Sequence, residues 1–190
     1  MDIKQANAEL EELKDVSKYQ AMIKTAAIIT KLLEPHNIKP IVVGGLSVEI
    51  YSQSEYATRD IDFVSDGYHK IEDILYDLNF EKMDRIFFRS DIKIAVEVPD
   101  NHLAGSYEKI VKFQLDDYYY IYLISPEDII LDRLRAAIHW DSEEDRLWSF
   151  RLLSLNYDIV DIEYLKENTE DDKELALLND WLTQLNNAQD

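Results

Sequence analysis

Cysteine is absent from the 190-residue chain, and glycine and proline occur only four times each. The lack of cysteine excludes disulfide bridges and thiolate metal sites, and it is typical of a cytoplasmic protein. No run of about 18 apolar residues is present, so we expect no membrane-spanning helix. Apolar residues still make up 46% of the chain, which is enough to bury a hydrophobic core. We therefore expect a soluble, cytoplasmic protein with one domain, or one domain and a helical extension.

Basic residues are also scarce. The chain has 20 lysines and arginines against 39 aspartates and glutamates, for a formal net charge of −19. Such a surface repels nucleic acid and anionic membranes at long range, and it favours cationic partners or substrates chelated to a metal ion. A nucleotide is compatible with this charge because it arrives with magnesium and touches only a small region. The charge argues against a long RNA or DNA as partner.

Two of the few glycines are adjacent, in Ile41-Val42-Val43-Gly44-Gly45. This pattern predicts a buried strand that runs into a glycine turn and then a helix, which is a favourable place for phosphate. A second stretch, Asp60-Ile61-Asp62-Phe63-Val64, predicts a strand with two carboxylates. Because strand side chains alternate between faces, Asp60 and Asp62 project from the same face. Two neighbouring carboxylates repel each other unless a cation lies between them, so together the stretches predict a site for a metal–nucleotide complex.

The periodicity of the apolar residues predicts an α+β fold, with a short mixed sheet flanked by helices. Predicted helices cover 4–36, 46–52, 70–78, 129–140, 143–155, 162–166 and 173–185. Predicted strands cover 41–43, 60–64, 86–89, 92–98, 109–115 and 118–124. Ser125-Pro126-Glu127-Asp128 is typical of a helix start. We expect an α/β part at 1–124, including the N-terminal helices, and a C-terminal helical part at 125–190.

Transfer of a nucleotidyl group needs a cradle for the triphosphate, one or two divalent cations and a way to activate the attacking hydroxyl. Gly44-Gly45 offers the cradle, since glycine lets the backbone approach phosphate oxygens. Ser47, in the first helical turn, offers a hydroxyl. Asp60 and Asp62 offer oxygen ligands for magnesium.

A third carboxylate on a neighbouring strand would complete a two-metal site and act as a base. The candidate is Glu97, because the predicted strand Ile92–Val98 alternates apolar residues with a face formed by Lys93, Ala95 and Glu97. Lys93, on the same face, is a candidate phosphate contact.

Further basic residues lie near these positions in the sequence. Arg59 precedes the first aspartate and is either a phosphate contact or a surface residue. Arg85 and Arg89 form, with Lys93, either a triphosphate or acceptor contact or scattered surface charge. For Asp132-Arg133 and Arg146 we expect a structural ion pair that joins the helices to the sheet, in preference to a catalytic role.

The stretches Val43-Gly44-Gly45, Asp60-Ile61-Asp62-Phe63 and Ala95-Val96-Glu97-Val98-Pro99 resemble the nucleotidyltransferase superfamily with a polymerase-β-like fold. Within it, the chain is most similar to small bacterial nucleotidyltransferases near the abortive-infection (AbiEii-like) toxins. The resemblance implies a polymerase-β-like core in which Gly44, Gly45, Asp60, Asp62 and Glu97 work with Mg2+ or Mn2+. It also implies a nucleoside triphosphate donor and a possible cognate toxin or antitoxin protein.

The acceptor is open at this point. The acidic charge favours a cationic small molecule or a protein hydroxyl over tRNA. RNA stays an alternative acceptor, because several toxin relatives modify tRNA.

The alternative function is a nucleotidyltransferase-like binding or regulatory module without catalysis, for example as a component of a toxin–antitoxin pair. Metal-dependent glycosyltransferases also use Asp-x-Asp, but the chain is short for one and the glycine pair would have no role. An EF-hand loop also fits less well, because it needs glycine and further oxygen ligands after Asp62, where Phe63-Val64 stand instead.

Overall fold

The computed structural model describes residues 1–189 of the chain. The α-helices within this range are α1 (Ile3–Glu11), α2 (Lys18–Leu33), α3 (Gly44–Tyr51), α4 (Tyr68–Asp77), α5 (Pro126–His139), α6 (Glu143–Leu155), α7 (Ile162–Glu167) and α8 (Asp172–Gln189). The strands are β1 (Ile41–Val43), β2 (Asp60–Val64), β3 (Glu81–Met83), β4 (Ile86–Arg89), β5 (Ile94–Asp100), β6 (Val111–Gln114) and β7 (Tyr120–Leu123). Short 3-10 turns occupy Glu12–Asp15, Glu34–His36 and Tyr107–Lys109.

The strands form one seven-stranded mixed sheet in the order β3-β4-β5-β2-β1-β7-β6. At its centre β1 runs antiparallel to β2 and parallel to β7, while β2 runs parallel to β5. The predicted antiparallel unit of β4 and β5 is present. The predicted α+β class, with a short mixed sheet and helices, is confirmed.

Alternating side chains on β2 separate two hydrophobic cores. Ile61 and Phe63 are fully buried in a core that also contains residues of α1, α2 and α4. Val64 belongs to a second core, which contains residues of α5, α6, α7 and α8. Asp60 and Asp62 share the face of Val64 because strand side chains alternate with a period of two. The carboxylates therefore lie on the side of the sheet that faces the C-terminal helices.

The helix ends follow the capping signals of the sequence. Ser17 and Gln20 form a capping box at the start of α2. The hydroxyl of Ser125 accepts a hydrogen bond of 3.0 Å from the backbone N–H of Asp128, with Pro126 in the first turn of α5. The helix start predicted at 125–128 is confirmed, and it directs the chain from β7 onto the second core. The division of the chain at residue 124 stays a prediction.

The structure differs from the sequence prediction at several element boundaries. The strand predicted from Ile92 begins only at Ile94, because Lys93 has a φ of 56° and lies in a turn. Lys93 is exposed there, so the prediction that it shares a strand face with Glu97 is wrong, and its phosphate contact stays a prediction. Strand β3 was not predicted because all its side chains are exposed and show no apolar alternation. Within residues 1–189, none of the helices combines the length and apolarity that a bilayer crossing requires.

Arg89 is a structural residue rather than a phosphate contact. Its side chain is only 4% exposed. The guanidinium donates to the carboxylate of Asp91, the side-chain oxygen of Asn7 and the backbone carbonyl of Leu78, at distances between 2.9 and 3.2 Å. These bonds tie α1 and the end of α4 to the β4–β5 turn. Neither alternative considered for Arg89, a substrate contact or scattered surface charge, is correct, because the side chain is buried and its donors are used inside the fold.

Replacing Arg89 with alanine should lower the free energy of unfolding by about 3 kcal/mol, because it removes four hydrogen bonds of a buried guanidinium, one of them to the buried carbonyl of Leu78. Urea denaturation followed by circular dichroism measures this loss. The control is Arg151→Ala, whose side chain is 47% exposed, and which should cost less than about 1 kcal/mol. Equal losses in the two variants would contradict the structural role of Arg89.

Candidate active site

The glycine pair brings the backbone against the carboxylate of Asp62. Gly44 has a φ of +58°, and a Cβ at this position would lie 2.3 Å from Oδ2 of Asp62. A side chain at Gly45 would similarly meet Oγ1 of Thr58 at 2.3 Å. Both positions therefore require glycine for close approach, and Gly44 also for its left-handed backbone. The turn therefore places the first residues of α3 against the carboxylate of Asp62 on β2.

Strand register brings the predicted acids together. Asp62 lies opposite Glu97 in the parallel pair of β2 and β5, and Asp60 lies opposite Ala95. On its other side Asp62 lies opposite Val43, the residue before the glycine pair. The structure thus assembles Gly44-Gly45, Asp60, Asp62 and Glu97 at one place on the sheet.

The acids have unequal surroundings. Burial, followed by the charges of Asp60 and Glu97, raises the pKa of Asp62 to about 6. The backbone N–H of Gly45 and the charge of Arg133 act in the opposite direction but only partly compensate. A cation among the carboxylates would stabilise the ionised form of Asp62 and so lower its pKa.

The other two acids have polar neighbours of their own. Oδ1 of Asp60 accepts a hydrogen bond of 3.2 Å from the hydroxyl of Thr58. Oε1 of Glu97 lies 3.8 Å from Nε of Arg85, whose side chain is 83% exposed. Arg85 is thus an exposed cation beside Glu97 at the site, whereas the buried Arg89 is not at the site.

The donor set fits a hard divalent cation, because Asp60, Asp62 and Glu97 offer only carboxylate oxygens. Within residues 1–189, one group of potential ligands has its atoms all within 4.8 Å of one another, and it is His139, Glu170 and Glu174 rather than these acids. The acids on β2 and β5 are more widely spaced. Such an open arrangement suits Mg2+ or Mn2+, which retain water and substrate phosphates among their ligands.

The His139 group is explained by ion pairing inside the fold. Glu174 is fully buried, and one of its oxygens lies 2.7 Å from Nε2 of His139. Its other oxygen accepts the backbone N–H of Glu170 at 2.7 Å. Nε of Arg135 lies 3.0 Å from the Glu170 carboxylate. The carboxylates therefore already have positively charged or hydrogen-bonding partners.

Ser47 and Arg59 differ in their access to a substrate. Ser47 is fully buried, and its hydroxyl donates a hydrogen bond of 2.7 Å to the carbonyl of Gly44. This position supports a role in holding the glycine turn rather than direct phosphate contact. Arg59 is exposed beside Asp60, and its phosphate contact stays a prediction.

The ion pairs of α5 differ from those expected. Nη1 of Arg133 lies 2.7 Å from Oδ1 of Asp145, which ties α5 to α6 rather than to the sheet. Arg146 lies near Glu143 on its own helix. The expectation that Arg146 takes part in the Arg133 pair is therefore wrong. Arg133 matters to the site through its charge, which lowers the pKa of Asp62.

A cavity of about 310 Å3 opens beside Asp62, and sequence patterns gave no sign of it. Its walls include Gly44 and Asp62 on the sheet, Asp100 and His102 after β5, and Asp132 on α5. Burial in this concavity raises the pKa of Asp132, although its side chain is still 52% exposed. Because these residues come from separate elements, only the folded chain brings them together.

The chain resembles known proteins both in its sequence profile and in its fold. The profile of a family described as "Nucleotidyltransferase of unknown function (DUF6036)" matches residues 17–186. The fold is similar to that of an antigenic nucleotidyltransferase-like protein from Paracoccidioides brasiliensis, with a TM-score of 0.58 and 17% identity over 86% of this chain and 87% of that chain. It is also similar to ANT(2")-Ia in complex with adenylyl-2"-tobramycin, with a TM-score of 0.50 and 15% identity over 82% of this chain and 94% of that chain. The comparison with curated proteins finds no match.

The raised pKa of Asp62 predicts that this residue destabilises the fold at neutral pH. The folded carboxyl has a pKa of about 6 against an ordinary value of 3.8, so the folded chain holds this proton more tightly than the unfolded chain. Ionisation of Asp62 therefore lowers the free energy of unfolding as the pH rises through this window, by roughly 1–2 kcal/mol after allowance for partial exposure. Asp62→Asn should accordingly be more stable than the wild type at pH 7.5, with the difference lost near pH 4.

Urea denaturation at both pH values measures this effect in the absence of divalent cations. Asp117→Asn removes the same charge from an exposed position in the β6–β7 turn, and it corrects for the change in net charge. If Asp62→Asn were less stable than Asp117→Asn at pH 7.5, the electrostatic account of the site would be wrong.

Proposed function

The chain belongs to the DUF6036 family of nucleotidyltransferases, and from this premise we propose that it transfers a nucleoside monophosphate from a nucleoside triphosphate to a hydroxyl of an acceptor. The observation that carries the proposal is the placement of Asp60, Asp62 and Glu97 on adjacent strands beside the glycine turn. Burial and then the charges of Asp60 and Glu97 raise the pKa of Asp62, which supports the proposal because a bound cation would balance these carboxylates.

The proposed metal is Mg2+ or Mn2+, held by Asp60 and Asp62 with Glu97 completing the site. The chemistry that the bound metal supplies is neutralisation of charge on the phosphate oxygens. The chain's own contribution is the orientation of these carboxylates by β2 and β5. Their supporting side chains, Ile61, Phe63 and Val96, are fully buried, and a packed layer of this kind restrains the position of the strands.

The triphosphate would be held by the turn at Gly44-Gly45. No side chain of the N-cap residue Val43 caps the start of α3. The backbone N–H of Gly45 bonds the Asp62 carboxylate, and the other free N–H groups of the first turn would meet phosphate oxygens. Arg59 and Lys93, both exposed, are the proposed side-chain contacts to phosphate. Arg85, beside Glu97, is a further cation within reach of the site.

In the transfer step, the acceptor oxygen forms a bond to the α-phosphorus and the bond from that phosphorus to the pyrophosphate oxygen breaks. Glu97 would accept the proton of the acceptor hydroxyl. The products are the nucleotidylated acceptor and pyrophosphate. The chain's residues thus act by positioning the reactants and by matching charge, as in other phosphoryl transfers.

The two parts of the chain have separate roles in this proposal. Residues 1–124 carry the acids and the glycine turn. In the C-terminal part, α5 supplies Asp132 to the wall of the site, and Arg133 on the same helix contributes a positive charge that acts on Asp62. The proposed placement near the AbiEii-like toxins would add a cognate toxin or antitoxin protein as partner. The net charge of −19 favours a cationic small molecule or a protein over nucleic acid as acceptor.

Calorimetric titration of each of the four nucleoside triphosphates, with and without Mg2+, tests the proposal. The wild type should bind at least one triphosphate in a Mg2+-dependent manner, and Asp62→Ala should weaken this binding at least about tenfold, equivalent to 1.4 kcal/mol. Asp117→Asn, with the same loss of charge at an exposed turn, should bind like the wild type. Circular dichroism checks that Asp62→Ala is folded.

Failure of the wild type to bind any triphosphate would contradict the proposal. It would favour the alternative of a binding or regulatory module that has the fold without the catalysis. Equal binding by the wild type and Asp62→Ala would place the nucleotide somewhere other than the acidic site.

A further inference from the structure

We propose that the cavity beside Asp62 is the acceptor site and that it takes a small hydroxylated molecule with protonated amines. The inference deepens the proposed function and rests on it for the location of the reacting phosphate. The binding of an amine in the cavity can nevertheless be measured without any transfer.

The cavity has the size and position that an acceptor needs. Its volume of about 310 Å3 lies at the lower end of the range for small-molecule sites. Gly44 and Asp62 form part of its wall, so a hydroxyl of an occupant would lie beside the proposed metal–triphosphate site. Apolar side chains such as Val64, Leu103 and Ile129 contribute much of the remaining wall, which suits the carbon skeleton of a ring.

A bulge in β5 explains why Asp100 reaches this cavity. Asp62 lies opposite Glu97, but Val64 lies opposite Asp100, so β5 contains one more residue than β2 between these pairs. Without that extra residue, the alternation along the strand would send Asp100 to the face opposite Glu97. The bulge therefore adds a carboxylate to the wall that Asp62 already lines.

The acids of the cavity have few counter-ions in the described part of the chain. Oδ2 of Asp132 lies 3.8 Å from Nε of Arg133, while Arg133 makes its short contact of 2.7 Å with Asp145. The carboxylate of Asp100 accepts backbone N–H groups of Asn101 and His102, which lower its pKa and keep it ionised. No lysine or arginine of residues 1–189 lines the cavity. An ammonium group would supply the missing positive charge.

The same charges argue against the triphosphate as occupant. Asp62, Asp100 and Asp132 line the cavity together and would repel the phosphates, which carry several negative charges. Arg133 lines a different, smaller cavity of about 110 Å3, together with Tyr56 and Trp148. The acidic cavity is therefore better matched to a cation than to the donor.

Matched probes can test this selectivity. The first is 2-deoxystreptamine, a cyclohexane ring with hydroxyls and two amines, and the second is myo-inositol, a similar ring with hydroxyls alone. Each is titrated at pH 7.5 and low salt into 15N-labelled wild type, Asp132→Asn and Asp117→Asn, with amide chemical shifts as the readout. The variants lose the same charge, but Asp117 lies in the exposed β6–β7 turn.

The diamine should bind the wild type and shift amides around Gly44 and Leu103, whereas myo-inositol should bind at least about tenfold more weakly. Asp132→Asn should weaken diamine binding about three- to tenfold, as expected for the loss of one partly exposed ionic contact. Asp117→Asn should stay within about twofold of the wild type. Asp100→Asn replaces Asp132→Asn if the latter does not fold, and the same loss is expected.

Equal affinity for the two probes, or equal diamine affinity in Asp132→Asn and Asp117→Asn, would overturn the inference. So would a loss of Mg2+–triphosphate binding in Asp132→Asn with diamine binding unchanged, because the cavity would then belong to the donor. These results are separable from failure of the proposed function. Loss of triphosphate binding in the wild type would refute that function even if Asp132-dependent diamine binding were intact.

Discussion

The proposed site depends on a sheet that holds several carboxylates together although they repel one another. Asp62 lies between Val43, which precedes the glycine turn, and Glu97 on β5, and Asp60 lies on the same face of its strand. Gly44 is required because any side chain there would collide with the Asp62 carboxylate. On the opposite face, Ile61 and Phe63 anchor the strand in a dry core. Packing energy therefore maintains a local charge arrangement that is unfavourable without a cation.

The C-terminal helices complete the surroundings of this cluster of carboxylates. Ser125 and Pro126 start α5 immediately after β7, and the helix packs into the same core as Val64. That packing places Asp132 in the wall of the cavity beside Asp62. Arg133, fixed by Asp145 on α6, contributes a positive charge that partly offsets the acids. The C-terminal helices thus determine both the shape of the cavity beside Asp62 and the electrostatic potential in it.

Local patterns in the sequence were sufficient to predict the central strands and the acidic motif. The buried run Ile41–Val43, the adjacent glycines and the alternation around Asp60 and Asp62 all depend on neighbours within a few residues. The same alternation placed Glu97 on the correct face of β5. Features that depend on distant elements were missed or misassigned. Arg89 is buried because Asn7 and Leu78 accept its hydrogen bonds, and Asp100 enters the cavity through a bulge. Neither arrangement has a signature within a short stretch of sequence.

The central claim is that a divalent cation binds to the carboxylates of Asp60 and Asp62 on β2, beside Glu97 on β5. Anomalous diffraction at the manganese edge, from crystals grown with Mn2+ and each nucleoside triphosphate, tests it most directly. We expect a peak at about 2.0–2.3 Å from carboxylate oxygens of both Asp60 and Asp62, with phosphate oxygens among the other ligands. A nucleotide bound without a peak at these residues, or a peak confined to His139, Glu170 and Glu174, would contradict the account.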